Sequence, residues 1–337
     1  MLYATTRNDR DAFTANWALR ENRDSLGGHY LPFRHPKFSR EELETLLTGS
    51  AGDCVSHILN LAFGTKLTGR DVELCIGKHC LRLEHLQYGI LLAESWHTPG
   101  YRFDRIVRIL AGRVAGEGAE VSGWMQIAVR IGVLFGFFSE LRKRGIQEAD
   151  ISCLSGDFLM PISAWYARLW GLPIRNIICC CNENNSLWEL ICHGQMRTDG
   201  ISVPTILPSA DIVLPEHLER LIRECGGVGE TRRYLDACRT GRSYYPSDLI
   251  LNRLREGLYV SVVGSERIRM TVPNLYKTHG KLVSRATALS YAGALDYRAK
   301  TGAAGHTLIW SEEAPDTETE IIAQLLDIPA ERVQEYI

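Results

Sequence analysis

The sequence has no excess of charge of either sign. Lysine and arginine number 38 and aspartate and glutamate 40 among 337 residues, so the formal net charge is -2. A surface this close to neutral provides no general attraction for phosphate backbones or anionic lipid. Nucleic acid and membrane surfaces are therefore not expected as partners.

Long apolar runs are also missing. No stretch reaches the roughly 18 consecutive apolar residues of a membrane-spanning helix. The nearest candidate, residues 127–141, contains Arg130, and we predict that it is a buried helix. The N-terminal segment MLYATTRNDRDAF carries charges where a secretory signal has an apolar stretch. These features predict a cytoplasmic protein.

The chain has ten cysteines but no C-x-x-C pair. Three of them, residues 179–181, are consecutive, and neighbours in a strand point to opposite faces, so they cannot all bind one ion. A looser cluster comprises Cys75, His79, Cys80 and His85. Ordinary reduced thiols explain both groups better than zinc or disulfides. We expect no metal site.

The N-terminal part of the chain has helical spacing. Ser39 followed by Glu42 forms a capping box at the start of an amphipathic segment, FSREELETLL. Apolar residues continue at helical spacing through CVSHILNLAF. A mainly helical region is therefore predicted up to about residue 84.

From Ile151 the apolar period changes. DISCLSG is predicted to be a strand, FLMPISAWYARLWG a helix and PIRNIICCCNEN a strand, and this order indicates a parallel sheet with crossover helices. Trp165, Tyr166 and Trp170 are expected to pack that helix onto the sheet. ADIVLPEHLERLIREC is predicted to form a further strand and helix, and EGLYVSVVG a later strand. GGVGE, residues 226–230, follows a helix and lacks the Lys-Ser/Thr ending of a phosphate loop, so it is predicted to stop the helix.

These segments resemble threonine synthases in content and order. YATTR is similar to the family's Y-x-S-T-R, and GGHYLPF to its G-G-L-Y-x-P. The run from ISCLSGDF through GLPI to NEN resembles the central segment of that family, and ADIVLPEHLERL is similar to its M-D-I-x-x-P-S-N-F-E-R-L. The resemblance covers nearly the whole chain. It implies the fold of the tryptophan synthase β-subunit, which is fold type II of the enzymes that use pyridoxal phosphate (PLP).

The resemblance also implies a domain organisation. Residues 1–90 correspond to a mainly helical N-terminal region, and residues 91–120 to a remnant of the lysine segment from which a small PLP subdomain is deleted. Residues 121–310 form a reduced α/β core, a large domain with a central parallel sheet flanked by helices. Residues 311–337 form a helical tail.

Three departures from the family concern the cofactor. Its Schiff-base lysine lies in H-G-P-T-x-x-F-K-D, and in the corresponding residues 97–105 of this chain Asp104 falls on the lysine. Its phosphate loop G-N-F-G reads Gly156, Asp157, Phe158, Leu159, which places an acid where a dianion would sit. The small subdomain is the third loss. The expectation from these departures is that PLP is not used.

The resemblance implies that several polar residues share the former cofactor cleft. The candidates for catalysis are Asp104, His97, Asp157 and His279. The candidates for substrate binding are Ser155, Phe158, Asn182, Asn184 and Tyr101. A carboxylate within reach of an imidazole could act as a general acid/base pair. Two simpler alternatives remain: Asp104 forms an ion pair with a neighbouring arginine on a helix end, and Asp157 caps a helix.

Two functions remain open at this point. One is a PLP-independent enzyme that performs elimination, cyclisation, isomerisation or hydrolysis on a small amino-acid-derived metabolite. The other is a non-catalytic pseudoenzyme that binds a metabolite or a partner protein. Phosphohomoserine is not expected as the ligand, because the family's T-A-H-P-A-K has become WSEEAP, with acids in place of an anion-binding surround. Loss of a subdomain would leave apolar surface, so a homo-oligomer, a dimer, is expected.

Overall fold

The structure, a computed structural model, describes residues 1–97, 102–118 and 120–336. Its helices are α1 Ala15–Arg20, α2 Arg40–Thr48, α3 Ala51–Phe63, α4 Gly69–Ile76, α5 Phe103–Ala115, α6 Gly123–Lys143, α7 Leu159–Leu169, α8 Ser186–Trp188, α9 Leu218–Thr240, α10 Asp248–Arg255, α11 Ser265–His279, α12 Arg285–Thr301 and α13 Thr319–Leu326. Its strands are β1 Leu2–Thr5, β2 Phe13–Thr14, β3 Tyr30–Pro32, β4 Arg82–His85, β5 Ile90–Glu94, β6 Ala149–Leu154, β7 Ile174–Cys181, β8 Leu258–Val262 and β9 Thr307–Ser311.

A six-stranded sheet forms the centre of the molecule, with the strand order β4-β5-β9-β6-β7-β8. The five strands β5, β9, β6, β7 and β8 are parallel, whereas β4 pairs antiparallel with β5. The predicted α/β fold with flanking helices is therefore confirmed, and its sheet is mixed because the edge strand is reversed. The N-terminal region contains the predicted helices and also a small antiparallel sheet in the order β2-β1-β3.

The parallel strands are buried on both faces. In β7, Ile177, Cys179 and Cys181 belong to the core on one side of the sheet, and Ile178 and Cys180 belong to the core on the other. Because successive side chains alternate between faces, an uninterrupted apolar run can fill two cores at once. The consecutive cysteines are thus packing residues, and all ten thiols are free.

Helix α6 lies within the larger core. It is the one helix among the described residues that is long and apolar enough to span a membrane, but 89% of its apolar window is buried in this fold. The prediction that residues 127–141 form a buried helix is confirmed. Arg130 is a charged residue in the middle of this helix, and its side chain is only 8% exposed.

Two local predictions have clear outcomes. Ser39 and Glu42 form the reciprocal capping box of α2, as expected from their spacing. The strand predicted at ADIVL is wrong, because Pro208–Ala210 forms a short 3-10 turn and the segment up to α9 is irregular. The Asp211 carboxylate accepts hydrogen bonds from the Thr205 backbone N–H and hydroxyl. Such side-chain bonds to nearby backbone compete with strand pairing.

The predicted helix stop at GGVGE is a kink. Helix α9 continues from Leu218 to Thr240, but Gly227 has φ 72° and ψ -175°, a conformation that glycine adopts without steric cost. The helix therefore changes direction at this position and then resumes.

Candidate functional site

A cleft of about 370 Å³ opens where β6 and β9 end. It lies at the carboxyl ends of two adjacent parallel strands. In the sheet, the other neighbour of β6 is β7 and the other neighbour of β9 is β5. Crevices at such points are the usual ligand sites of open α/β sheets. Its lining residues are Arg130, Leu154, Ser155, Gly156, Asp157, Leu159, Met160, Ser209, Ile212, Ser284, Ala286, Thr287, Ser290, Trp310, Glu312 and Glu313.

The turn after β6 forms one wall of the cleft. Its backbone is held by hydrogen bonds from the Ser155 N–H to the Cys180 carbonyl at 2.8 Å and from the Phe158 N–H to the Ser155 carbonyl at 2.7 Å. Phe158 has φ 73°, which is strained for a residue with a side chain, and its ring is fully buried. The buried ring fixes the turn, so the N-terminus of α7 faces the cleft. Phe158 thus supports the wall without lining it.

Asp157 is both a cap and a cleft residue. Its Oδ1 accepts a hydrogen bond from the Leu159 N–H at 3.0 Å, as the capping alternative predicted, and its side chain also lines the cleft. Burial raises the pKa of this carboxyl, although the Leu159 N–H and the Arg130 guanidinium act in the opposite direction. Glu312 adds to the rise by charge repulsion. The protonated form of the Asp157 carboxyl therefore persists to a higher pH than in an ordinary aspartate.

An ion pair forms the opposite wall. Arg130 donates from Nε to Glu312 Oε1 at 2.8 Å and from Nη2 to Glu312 Oε2 at 2.9 Å. The Trp310 indole N–H also donates to Glu312 Oε1 at 2.8 Å, and the guanidinium lies 4.9 Å from the centre of the Phe103 ring. This two-point pairing fixes the only cation in the described lining against a carboxylate.

The next residue along the chain, Glu313, lies at the mouth of the cleft. Partial burial raises the pKa of its carboxyl, and the nearby Glu318 and Glu312 raise it further. Its backbone bridges to Arg102 just before α5, and Arg102 lowers the same pKa. Several carboxylates therefore lie close together in this corner, with Arg102 as a nearby cation.

Hydroxyl groups come from α12 and from the loop before α9. Ser284 caps α12 by accepting a hydrogen bond from the Thr287 N–H. Ser290 lies about one helical turn after Thr287. Thr287 donates to the Ser311 hydroxyl at 2.9 Å, while Ser209 enters from the loop. The cleft thus offers several weak donors and acceptors at the N-terminus of a helix, where polar ligand groups are readily held.

Asp104 does not lie in the cleft. Its side chain is 56% exposed and pairs with Arg108 at 3.3 Å across one turn of α5. The simpler alternative, an ion pair on a helix end, is therefore what the structure has. The expectation that Asp104 lies in the cleft is therefore corrected. The Phe103 N–H donates a hydrogen bond to the Glu312 carbonyl after β9, and the Asp104 side chain that follows points outward.

The two predicted histidines also lie outside the described lining. His97 bonds through Nε2 to Glu94 Oε2 at 2.6 Å and stacks on Trp96 with ring centres 3.9 Å apart. His279 is the last residue of α11, a helix that packs on α12 and α13. The structure therefore brings Asp157 and Ser155 together in the cleft but does not add Asp104, His97 or His279 to them.

The predicted asparagines hold a loop. The Asn182 amide donates to Asp211 Oδ1 at 2.7 Å and to the Thr205 hydroxyl at 2.8 Å, and the Asn184 amide donates to the same Asp211 oxygen at 3.1 Å. These bonds anchor the loop that carries Ser209 into the cleft. Asn182 and Asn184 thus position the wall and are not part of the described lining. Tyr101, also predicted to bind substrate, lies outside the described residues.

The sequence interpretation missed Arg130, Glu312 and Glu313 as site residues. One signal was present, because a single arginine in an otherwise apolar buried helix must find a counter-ion. The pair of glutamates after β9 was the available partner. Their separation of 182 residues from Arg130 hid the connection.

A second polar cluster lies elsewhere. Potential ligand atoms of His29, Glu216 and His217 come within 4.8 Å of one another. The fully buried Arg220 contacts His217 Nδ1, and burial together with that guanidinium lowers the pKa of His29 to about 2. A fixed positive charge against one of the three side chains opposes a dication, so we assign no metal to this cluster.

A cleft at the carboxyl ends of an open parallel sheet, lined by a titratable acid and helix N-termini, gives this α/β protein a candidate ligand site. Within that class, the chain has the fold of threonine synthases, which is fold type II of the PLP enzymes. A PLP-bound threonine synthase from Brucella melitensis superposes with a TM-score of 0.83 at 16% identity, covering 100% of this chain and 94% of that one. Threonine synthase from yeast gives 0.82 at 13% identity, covering 97% and 90%.

Sequence comparison gives shorter matches. Threonine synthase of Pseudomonas aeruginosa is 25% identical over 154 residues, which is 45% of this chain and 33% of that protein. Threonine synthase-like 1 of Mus musculus is 36% identical over 73 residues, which is 21% of this chain and 10% of that protein. The chain thus spans a third or less of the length of these two curated relatives. No family model matches it.

The expectation that PLP is not used is wrong as a conclusion from the sequence. A threonine synthase that superposes on the whole chain is PLP-bound, so the departures in the sequence do not exclude a PLP-binding fold. A change of side chain at Asp104 or Asp157 alters local chemistry and leaves the overall fold unchanged.

The cleft residues can be compared with the needs of that cofactor. PLP enzymes hold the aldehyde on a lysine amine and the phosphate on backbone N–H groups at a helix N-terminus. The described lining has helix N-termini and hydroxyls but no lysine, and three of its residues are acids. These residues do not fit a covalently held PLP. No step below is derived through it.

Proposed function

We propose that this protein binds a small amino-acid-derived metabolite in the cleft and acts on it by acid/base chemistry, with Asp157 as the proton carrier. One observation supports this most directly: a carboxyl with a raised pKa lines a cleft of about 370 Å³ in a fold shared with enzymes. Groups with shifted pKa values in a cleft are typical of catalytic sites.

Both protonation states of Asp157 are supported by its surroundings. Burial favours the neutral acid, which can donate a proton to a departing oxygen or nitrogen of the ligand. The Leu159 N–H and the Arg130 charge stabilise the carboxylate that remains. Such a group suits elimination, cyclisation, isomerisation or hydrolysis, since each requires a proton to move. Ser155, Ser284 and Thr287 would orient the ligand.

A non-catalytic metabolite-binding protein is the second candidate. It is favoured by the positions of Asp104, His97 and His279, because none of them reaches the described lining. Asp157 then has no imidazole partner in that lining, and a single acid supports binding as well as chemistry.

The two candidates separate in one experiment. The purified chain is incubated with a panel of amino-acid-derived metabolites, binding is measured by calorimetry and products are measured by mass spectrometry. We expect at least one metabolite to be bound and converted. Asp157→Asn should reduce turnover at saturating ligand by about 10²- to 10⁴-fold, whatever its effect on affinity, while Asp236→Asn, an exposed control on α9, changes neither binding nor turnover. Binding without conversion selects the second candidate, and no binding of any panel member contradicts both.

The oligomeric state and the cellular location of the protein are also proposals. Leu2, Trp17 and Phe33 in the N-terminal region are 54%, 52% and 46% exposed, and large exposed apolar side chains favour a homodimer. Light scattering after size-exclusion chromatography tests this, since a mass of one chain would contradict it. We propose a cytoplasmic location, which imaging of a tagged chain tests.

A further inference from the structure

The described lining of the cleft carries more acidic than basic side chains. These are three carboxylates, Asp157, Glu312 and Glu313, and one guanidinium, Arg130. Glu312 holds that guanidinium at two points, 2.8 and 2.9 Å, so Arg130 has little capacity left for an anionic ligand. The other two acids have no basic side chain within hydrogen-bond distance in the described chain. A ligand entering this cleft therefore meets uncompensated negative charge.

From this arrangement we infer that the cleft selects a ligand with a cationic ammonium group beyond the one common to amino acids, and that it rejects phosphorylated ligands. This inference rests on the proposed function and specifies its substrate class. Asp157 and Glu313 are the two recognition groups. Arg130 is kept from acting as a phosphate site by Glu312.

The physical basis is the difference between the two ligand types. An ammonium group near a partly buried carboxylate gains Coulomb energy in a low-dielectric cleft, while a phosphate at the same place is repelled by every free acid. Burial is the main cause of the raised pKa values of Asp157 and Glu313, neighbouring carboxylates add to the rise, and Arg130 and Arg102 respectively offset only part of it. A bound ammonium would favour their ionised forms.

Three four-carbon amino acids provide a matched test. L-2,4-Diaminobutyrate, L-homoserine and O-phospho-L-homoserine share a backbone and differ in the terminal group, which is cationic, neutral or anionic. Titration calorimetry of the full chain at pH 7 should give the tightest binding for the diamino acid, at least tenfold tighter than homoserine, and the weakest for the phosphate.

Single substitutions test which side chains cause the preference for the diamino acid. Glu313→Gln should reduce the preference for the diamino acid about tenfold without unfolding the chain, because Glu313 is at the cleft mouth. Glu312→Gln should free Arg130 and raise affinity for the phosphorylated ligand. Asp236→Asn, the same charge change at an exposed position, should leave the order unchanged.

The outcomes distinguish this inference from the proposed function. Tightest binding of O-phospho-L-homoserine, lost in Arg130→Met, would overturn the charge selection while leaving a ligand-binding cleft intact. Equal binding of all three amino acids would overturn it in the same way. Failure of all three to bind would overturn it too, and the wider metabolite panel would then decide whether the cleft binds ligands at all.

Discussion

Arg130 and Glu312, 182 residues apart in the chain, meet in a two-point ion pair with N–O distances of 2.8 and 2.9 Å. The arginine comes from the long buried helix α6, and the glutamate is the residue after β9. The pair joins the helical layer to the end of the sheet and forms the wall of the cleft. Its disruption should therefore affect both stability and ligand selection.

The first prediction concerns Glu312→Gln. The side chain of Arg130 is 8% exposed, so removal of the acid leaves a buried charge with poorer hydrogen bonding. Hydrogen bonds to charged groups contribute about 1.5–3 kcal/mol, and we expect a loss of that order in the free energy of unfolding, measured by urea denaturation. Asp236→Asn breaks a pair whose two side chains are 71% and 74% exposed and should give no measurable change. Equal midpoints for both variants would contradict this account of the wall.

The second prediction concerns the pH dependence conferred by Asp157. Its folded pKa lies above the usual 3.8, so folding favours the protonated acid, and this stabilisation is lost as pH rises from about 3.8 through the raised folded value. The charged groups that contribute are Arg130, Glu312 and Glu216. Asp157→Asn keeps a cap acceptor for the Leu159 N–H but cannot titrate. Its melting temperature relative to the native chain should rise with pH across that window, and a constant difference would show that the native carboxyl titrates normally.

The third prediction concerns Asp104→Asn. Because this carboxylate is exposed and pairs only with Arg108 in the described structure, the substitution should change the free energy of unfolding by no more than about 0.5 kcal/mol. Ligand binding in the cleft should also be unchanged, as measured by calorimetry with L-2,4-diaminobutyrate. A large loss of binding would return Asp104 to the site and show that α5 sits differently in the ligand-bound protein.

The fourth prediction concerns Trp170→Ala. Trp170 is fully buried at the C-terminal end of α7, and loss of such a ring typically costs about 3–5 kcal/mol. The measurable result is a clearly lower melting temperature or poor solubility. Tyr245→Ala is the control, because Tyr245 is 54% exposed and should tolerate the change with a much smaller effect. Similar effects at both positions would mean that α7 does not pack as described.

The fifth prediction concerns Asn182→Ala. The Asn182 amide is buried and holds Asp211 and Thr205, so its loss leaves part of the Asp211 carboxylate without a partner. We expect a loss of about 1–3 kcal/mol and faster proteolysis within residues 203–211. Asn252→Ala, an exposed change on α10, should alter neither. Native protease resistance in Asn182→Ala would indicate that the loop is held by other contacts.

Local features of the fold followed from the sequence alone. The capping box of Ser39 and Glu42, the buried character of residues 127–141 and the strand, helix, strand order from β6 to β7 were all predicted correctly. The burial of Trp165, Tyr166 and Trp170 was predicted as well. The capping box depends on interactions within a few residues. The buried segments depend on an apolar period that only one arrangement of layers can bury.

The site was decided by the tertiary structure. Sequence spacing allowed Asp104 to fold back toward His97, but pairing of the Phe103 N–H with the Glu312 carbonyl turned it outward. The same long-range contact brought Glu312 and Glu313 to the cleft, and Arg130 reached them from a helix whose pattern indicated only burial. Which side chains face a common space depends on how distant elements pack, and this information is absent from the local period of apolar and polar residues. The sequence by itself therefore determined the elements and the layers, whereas packing between α6, α5 and the end of β9 decided the chemistry of the cleft.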